Sequence, residues 1–428
     1  MIACTLRVLI VDSEKWGIIM IYTRTTSGVH RLPKFYAGFA LFCLGLSIFM
    51  PSSPVLGGQR PWLIFTSVVM CAGLVFFLLN QHMHGRGLAT DSTMNALLVF
   101  FYAYCIVILL ALLFNTTHVF LRDFGEFLRL FIYIQMLMVG YLYGGRLTNR
   151  AISRWMLIFL CVELAIVILQ YNNLFGSREI FGFFWSDKKA LLGKRGAGSL
   201  GNPNLMGVTF LMLYCGTIFV KPGSWRRRVI VLLLTVLGVF MTGSRTTLLT
   251  FIPLVLFAVI LRGRLKIASF AKVLIIGVLL IYLVGVILVQ YGEMMPYMSE
   301  ISIVFERGLR GVQNIGTYNA RIRDWTYKLS VFESEPNYVR LVGAGPRKEG
   351  PFQYLDNQYL FVYIRYGLFG VMLYLSMWSY IIFSVLRRRT SEPQLSNFLL
   401  GYFVVLLISG LAAETLSSWR LVLPFFGL

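Results

Sequence analysis

Residues 204–266 read NLMGVTFLMLYCGTIFVKPGSWRRRVIVLLLTVLGVFMTGSRTTLLTFIPLVLFAVILRGRLK. Three apolar runs lie in this stretch, at 204–220, 228–242 and 245–261. Each approaches the length of about 20 residues that a helix needs to cross a hydrocarbon core. None shows the two-residue alternation of a membrane barrel strand. Only a helix or a closed barrel satisfies its backbone groups in lipid, so these runs are helices. The joints between them differ in charge. Lys221, Arg226, Arg227 and Arg228 sit at one joint, Arg262, Arg264 and Lys266 at the exit, and Arg245 alone at the joint between them. The chain therefore crosses a bilayer back and forth, with its basic ends on one side.

The same pattern runs outward in both directions. Apolar spans fall at 35–50, 62–80, 96–114, 127–145, 155–175, 270–291, 357–386 and 395–413, which with the first three makes eleven. The long one, 357–386, holds Gly367 and Gly370, which can break it into a short helix and a span. The tail Leu421–Leu428 is too short to cross alone. The expected fold is an all-α polytopic membrane protein with about 11–12 transmembrane helices and a large outer loop containing short helices. Arg146, Arg150 and Arg154 and the run Arg387–Arg389 join the basic side, which is cytoplasmic by the positive-inside rule.

Composition agrees. The chain has 428 residues, of which 57% are hydrophobic and only 13% charged. Soluble proteins carry about 25% charged residues. A soluble enzyme, a disordered chain and a disulfide-rich secreted domain are excluded. The net charge of +21 comes from 39 Lys and Arg against 18 Asp and Glu. Topology accounts for much of it, so nucleic acid is not the expected partner, whereas an anionic substrate fits the rest. Five of the six cysteines, Cys43, Cys71, Cys105, Cys161 and Cys215, lie in apolar stretches and none forms a CxxC, which reads as membrane packing. No HExxH, DxD or other metal-ligand spacing appears, so neither metal nor cofactor is expected.

Four regions follow: a cytoplasmic N-terminal segment, 1–34; a first membrane bundle, 35–291, with an outer loop at 176–203; a periplasmic loop, 292–356; and C-terminal membrane helices, 357–428. The N-terminal segment is no clean signal peptide, because Asp12, Glu14 and Lys15 interrupt its apolar run. Met20 is an alternative start, which N-terminal sequencing that finds Met1 removes.

The unusual polar sequence gathers in the outer loops. The first ends in Gly193-Lys194-Arg195-Gly196-Ala197-Gly198-Ser199-Leu200-Gly201-Asn202-Pro203-Asn204. Its glycines allow close backbone approach, Asn202 and Pro203 start a helix, and Lys194 and Arg195 flank the helix N-terminus. This is an anion cradle, or else a capped turn with two solvated cations. Thr242-Gly243-Ser244-Arg245 makes a tight outer turn, where Arg245 either marks a cavity mouth or snorkels to headgroups. In Asn319-Ala320-Arg321-Ile322-Arg323-Asp324-Trp325, Arg321 and Trp325 share a helix face and Arg323 points elsewhere. Arginine suits phosphate recognition, although Trp and Arg also mark interfacial helices. Finally, Gly343-Ala344-Gly345-Pro346 precedes Asp356-Asn357-Gln358-Tyr359-Leu360. Asp356 at a span mouth near arginines can act as general base, and its position also suits a helix N-cap.

In this order the four elements resemble the O-antigen ligase and polymerase superfamily of bacterial envelope glycan assembly. That family shows an Arg-Gly…Asn-Pro-Asn element, a Ser-Arg turn, an Arg-x-x-x-Trp helix, a Gly-x-Gly and a His-Asn-x-Tyr-Leu. The resemblance covers roughly residues 190–370. Asp356 stands where the ligases carry their histidine, which moves the reading toward the polymerase branch. The resemblance implies metal-independent glycosyl transfer at the periplasmic face of the bacterial inner membrane. Its donor and acceptor are glycans on undecaprenyl diphosphate. Arg195, Arg245 and Arg321 hold the diphosphate and Asp356 activates the acceptor hydroxyl. Lys194, Asn202, Asn204, Arg323, Trp325, Asn357 and Tyr359 line the substrate site. A chain-length regulator is a further expected partner.

Alternatives are a ligase that transfers glycan to lipid A–core, a flippase of lipid-linked saccharide, and an assembly partner without catalysis. A flippase needs ionisable residues lining a path inside its spans. This chain has few, namely Arg129, Glu163, Arg365 and Glu414.

Overall fold

The computed structural model describes residues 32–49, 60–83, 92–114, 125–143, 147–185, 195–220, 223–261, 316–346, 352, 355 and 357–411. Among these the only regular elements are helices, joined by short turns. The helices are α1 (Leu32–Phe49), α2 (Arg60–Met83), α3 (Ser92–Phe114), α4 (Gly125–Tyr143), α5 (Asn149–Asn172), α6 (Ser177–Trp185), α7 (Pro203–Phe219), α8 (Trp225–Thr242), α9 (Arg245–Leu261), α10 (Gly316–Glu333), α11 (Asn337–Val342), α12 (Gln358–Arg388) and α13 (Pro393–Ser409). Helices match ten of the eleven expected spans. The eleventh, 270–291, lies outside the described residues. Four of them, α3, α4, α5 and α12, are long and apolar enough to cross a membrane by length and composition. The chain is an all-α, multi-pass membrane protein.

At the centre stands α7. It is apolar all round, and every residue from Met206 to Phe219 is buried. Around it pack α5, α8, α9 and α13. Small residues set these crossings, as membrane helices need. A side chain at Gly216 would collide with Met156 of α5, and one at Gly238 would meet the Phe210 ring. A second group, α1, α2 and α4, is tied by polar contacts, with Ser67 donating to Gln135 at 2.9 Å and the Tyr143 hydroxyl donating to the Gly73 carbonyl. Helix α3 joins this group to α12. Large apolar side chains such as Val68, Leu79, Val99, Ile106, Leu113, Leu233 and Phe383 point outward. On a bundle this apolar, that surface is a belt for lipid.

Helix α12 is broken where the sequence suggests, at Gly367 (φ 63°, ψ −164°). That conformation is open almost only to glycine. The break frees two carbonyls, which accept from the incoming loop: Ala344 N–H donates to Ile364 at 2.8 Å and Gly345 N–H to Arg365 at 3.0 Å. The Gly-Ala-Gly segment is thus a plug for a helix break. The later stretch, Leu368–Arg388, is long enough to span by itself.

The bundle has two distinct ends. One carries the starts of α5, α8 and α13 and the end of α12, with Arg150, Arg154, Arg226–Arg228 and Arg387–Arg389. The other carries the starts of α7, α9 and α12, and every sequence element singled out above that lies among the described residues.

Candidate active site

The glycine-rich turn before α7 is fastened to α5. Glu163 and Gln170, seven residues apart, share one face of that helix. The Gln170 carboxamide oxygen accepts from Ala197 N–H and Gly198 N–H, each at 2.8 Å, and its nitrogen donates to the Gly198 carbonyl at 3.2 Å. The Glu163 carboxylate accepts from Ser199 N–H at 3.0 Å and from the Ser199 hydroxyl. Glu163 is fully buried, so these bonds compensate its removal from water. Gly198 has φ +59°, and a Cβ there would strike Met206 and Glu163. The amides expected to cradle an anion are therefore directed at α5. Likewise the Asn202 side chain accepts from Asn204 N–H at 2.9 Å and Leu205 N–H at 3.3 Å, capping α7 as expected, with Pro203 following.

Arg195 turns the other way. Its Nε donates to the Thr242 carbonyl at 2.8 Å, and Nη2 reaches the Gly243 carbonyl at 3.2 Å and Asn204 Oδ1 at 3.1 Å. Gly196 N–H donates to the Met241 carbonyl at 2.9 Å. The cation thus sits on the last carbonyls of α8, where the helix dipole favours positive charge. Two elements 40–50 residues apart, the Arg195 turn and the Thr242–Arg245 turn, become one assembly. Arg195 and Asn204, both expected to touch substrate, spend these atoms on each other and on α8.

The α8–α9 connection is as tight as expected. Gly243 caps α8 in the left-handed conformation, Ser244 is buried with its hydroxyl 2.7 Å from Thr247 Oγ1, and Arg245 opens α9. Gly207 of α7 abuts Thr247, and Thr250 stands 3.5 Å from Ser409 at the end of α13. That end meets α12: the Asn357 amide donates to the Leu411 carbonyl at 3.3 Å, the Tyr359 hydroxyl to Leu407 at 2.7 Å, and Gln358 N–H to Gly410 at 2.8 Å. One correction concerns the cap. Asn357, not Asp356, caps α12, accepting from Tyr359 N–H at 2.9 Å and Leu360 N–H at 3.1 Å. The helix starts one residue later than a cap at Asp356 requires, and asparagine caps as well as aspartate. Asp356 and Lys194 lie outside the described residues.

On α10, Arg321 and Trp325 are both half-buried and Arg323 is exposed, as their spacing implies. The Trp325 indole N–H meets no acceptor among the described residues. The same face continues to Lys328, buried and paired with Asp324 at 2.6 Å, and to Phe332, which packs 5.1 Å from the Tyr363 ring of α12. Sequence reading missed Gln170 and Lys328, and counted Glu163 only as an in-span charge. A carboxylate and an amide at i and i+7 in an apolar span was the available signal.

Residues 230–375 match the family model described as O-antigen ligase. This segment is similar to that family over about a third of the chain. It contains Ser244-Arg245, the α10 face, the Gly343–Gly345 plug and the start of α12; the Arg195–Asn204 turn precedes it and is bound to it through α8. Enzymes of that family are glycosyltransferase-like and act on lipid-linked glycans, and the match supports a membrane enzyme of that general type. Among curated proteins no match was found.

Proposed function

We propose that this protein polymerises undecaprenyl-diphosphate-linked repeat units into surface polysaccharide at the periplasmic face of the inner membrane. The observation that supports this reading is the junction of the Arg195 turn with the Ser244–Arg245 turn; in the sequence, Asp356 precedes the α12 start at the position where the resemblance places the histidine of the ligases. The acceptor hydroxyl oxygen bonds to the anomeric carbon of the donor. The bond from that carbon to the diphosphate oxygen breaks, and its electron pair leaves with the diphosphate. The hydroxyl proton passes to the Asp356 carboxylate. Arg245 and Arg321 hold the departing diphosphate, a charge stabilisation aimed at the transition state. Arg195 acts mainly as a positioning residue that fixes the turn preceding Arg245 in the chain. Asn357 and Tyr359 anchor the α12 start on α13.

A ligase with lipid A–core as acceptor is the second reading, favoured by the description of the matched family. A deletion strain separates the two on gels of surface glycan and carrier lipid. Single capped repeat units with no long chains mean polymerase. Long chains held on undecaprenyl diphosphate, with none on lipid A–core, mean ligase. Within either reading, Arg245→Ala should abolish product while insertion is retained, and retained product from Arg245→Ala combined with Arg321→Ala overturns the diphosphate clamp.

A further inference from the structure

A cavity of about 70 Å³ lies between α3, α4 and α12, lined by Tyr104, Glu126, Arg129, Tyr133, Gln358 and Tyr366 among others. Its α12 wall includes the first turn of the helix, so Gln358 stands two residues from Asp356. Glu126 and Arg129 form an ion pair at 3.0 Å on the first turns of α4, and Glu126 is 2% exposed. Tyr104, Tyr133 and Tyr366 lie within electrostatic reach of that carboxylate. Tyr104 and Tyr366 also meet edge to face at 5.2 Å, which fixes both rings.

A buried carboxylate is costly even when a partly exposed arginine pairs with it, and burial alone gives a membrane bundle no reason to keep one. The wall is mostly apolar, with rings such as Phe101, Phe361 and Trp378, and the Glu126–Arg129 pair supplies a polar edge, which suits a ligand that is apolar on its faces and hydroxylated at its rim. A pyranose ring has that character. The volume takes roughly five waters, the space of about one sugar ring. It excludes a polyprenyl chain and an extended glycan.

We propose, on the basis of the glycosyl-transfer reading above, that this cavity seats the terminal sugar ring of the acceptor saccharide, with Glu126 and Arg129 bonding its hydroxyls. The pocket is composite: the first part of α12 lies in the segment matched by the O-antigen ligase family model, whereas α3 and α4 lie outside it. Acceptor selection is therefore written partly in the chain's first half.

The test uses the full-length protein in lipid nanodiscs. The probe is the free repeat-unit oligosaccharide released by mild acid from the host's own lipid-linked pool, followed by saturation-transfer NMR. Undecaprenyl diphosphate binding is measured in parallel. The expected result is saccharide binding that falls tenfold or more in Glu126→Gln and in Tyr104→Phe, with undecaprenyl diphosphate binding unchanged. Ile108→Trp, which fills the cavity, should remove saccharide binding in the same way. Equal saccharide binding by wild type and by folded Glu126→Gln and Tyr104→Phe variants overturns the inference. So does wild-type protein that binds undecaprenyl diphosphate but not the saccharide, an outcome that leaves the proposed function standing. Binding of neither probe overturns both.

Discussion

Glu163 shows how much one buried side chain decides. It holds Ser199 by both its N–H and its hydroxyl, and so holds the turn that delivers Arg195 to α8. Glu163→Leu leaves those donors buried without acceptors, at about 1–3 kcal/mol each. The expected outcome is a lower melting temperature in detergent and loss of product, with normal membrane insertion; Glu163→Gln, which keeps an acceptor, should lose much less. Arg195 gives a sharper test. Its fork spans three acceptors, a geometry that lysine lacks. If Arg195 positions the turn, Arg195→Lys should fail nearly as badly as Arg195→Ala in polymer assays. Near-normal polymer from Arg195→Lys would instead mean that charge alone matters.

Between elements, the break in α12 is the feature with the clearest consequence. A Cβ at Gly367 would lie 2.3 Å from the Leu341 carbonyl oxygen and 2.5 Å from Gly343 N. Gly367→Ala must therefore push the Gly343–Gly345 plug off the break and also strain a backbone at φ 63°. The expected cost is about 3 kcal/mol or more, from strain plus the two lost loop hydrogen bonds. Thermal unfolding in detergent should show it, and a cysteine pair linking α11 to the start of α12 should cross-link less efficiently. The glycine pair in 357–386 announced a break, and Gly367 is where it falls. Gly370 stays helical and has no positive φ. What the glycines did not reveal was the partner for the freed carbonyls, because that partner lies about twenty residues upstream in another loop.

For the whole molecule, the separation of a basic end from a motif end predicts sidedness. In a cysteine-free background, Ser391→Cys at the basic end and Ser334→Cys after α10 are both exposed positions. A membrane-impermeant maleimide should label Ser334→Cys in cells with only the outer membrane opened, and Ser391→Cys only after the inner membrane is breached. Labelling in the reverse order overturns the orientation and with it a periplasmic site.

The spans, their alternation and the basic side were legible in residues alone, because lipid forces every crossing segment to be a helix and topology follows local charge. The Asn202–Pro203 start of α7 and the shared face of Arg321 and Trp325 were legible too, since caps and helix faces are set within a few residues. The tertiary structure alone decided which turn meets which carbonyl. It sent Arg195 to the end of α8, tied the glycine turn to Glu163 and Gln170, made Asn357 rather than Asp356 the cap, and closed α3, α4 and α12 around a mostly apolar cavity edged by the Glu126–Arg129 pair. Those outcomes depend on distances between segments far apart in the chain, where no local propensity acts and packing determines which polar groups find each other.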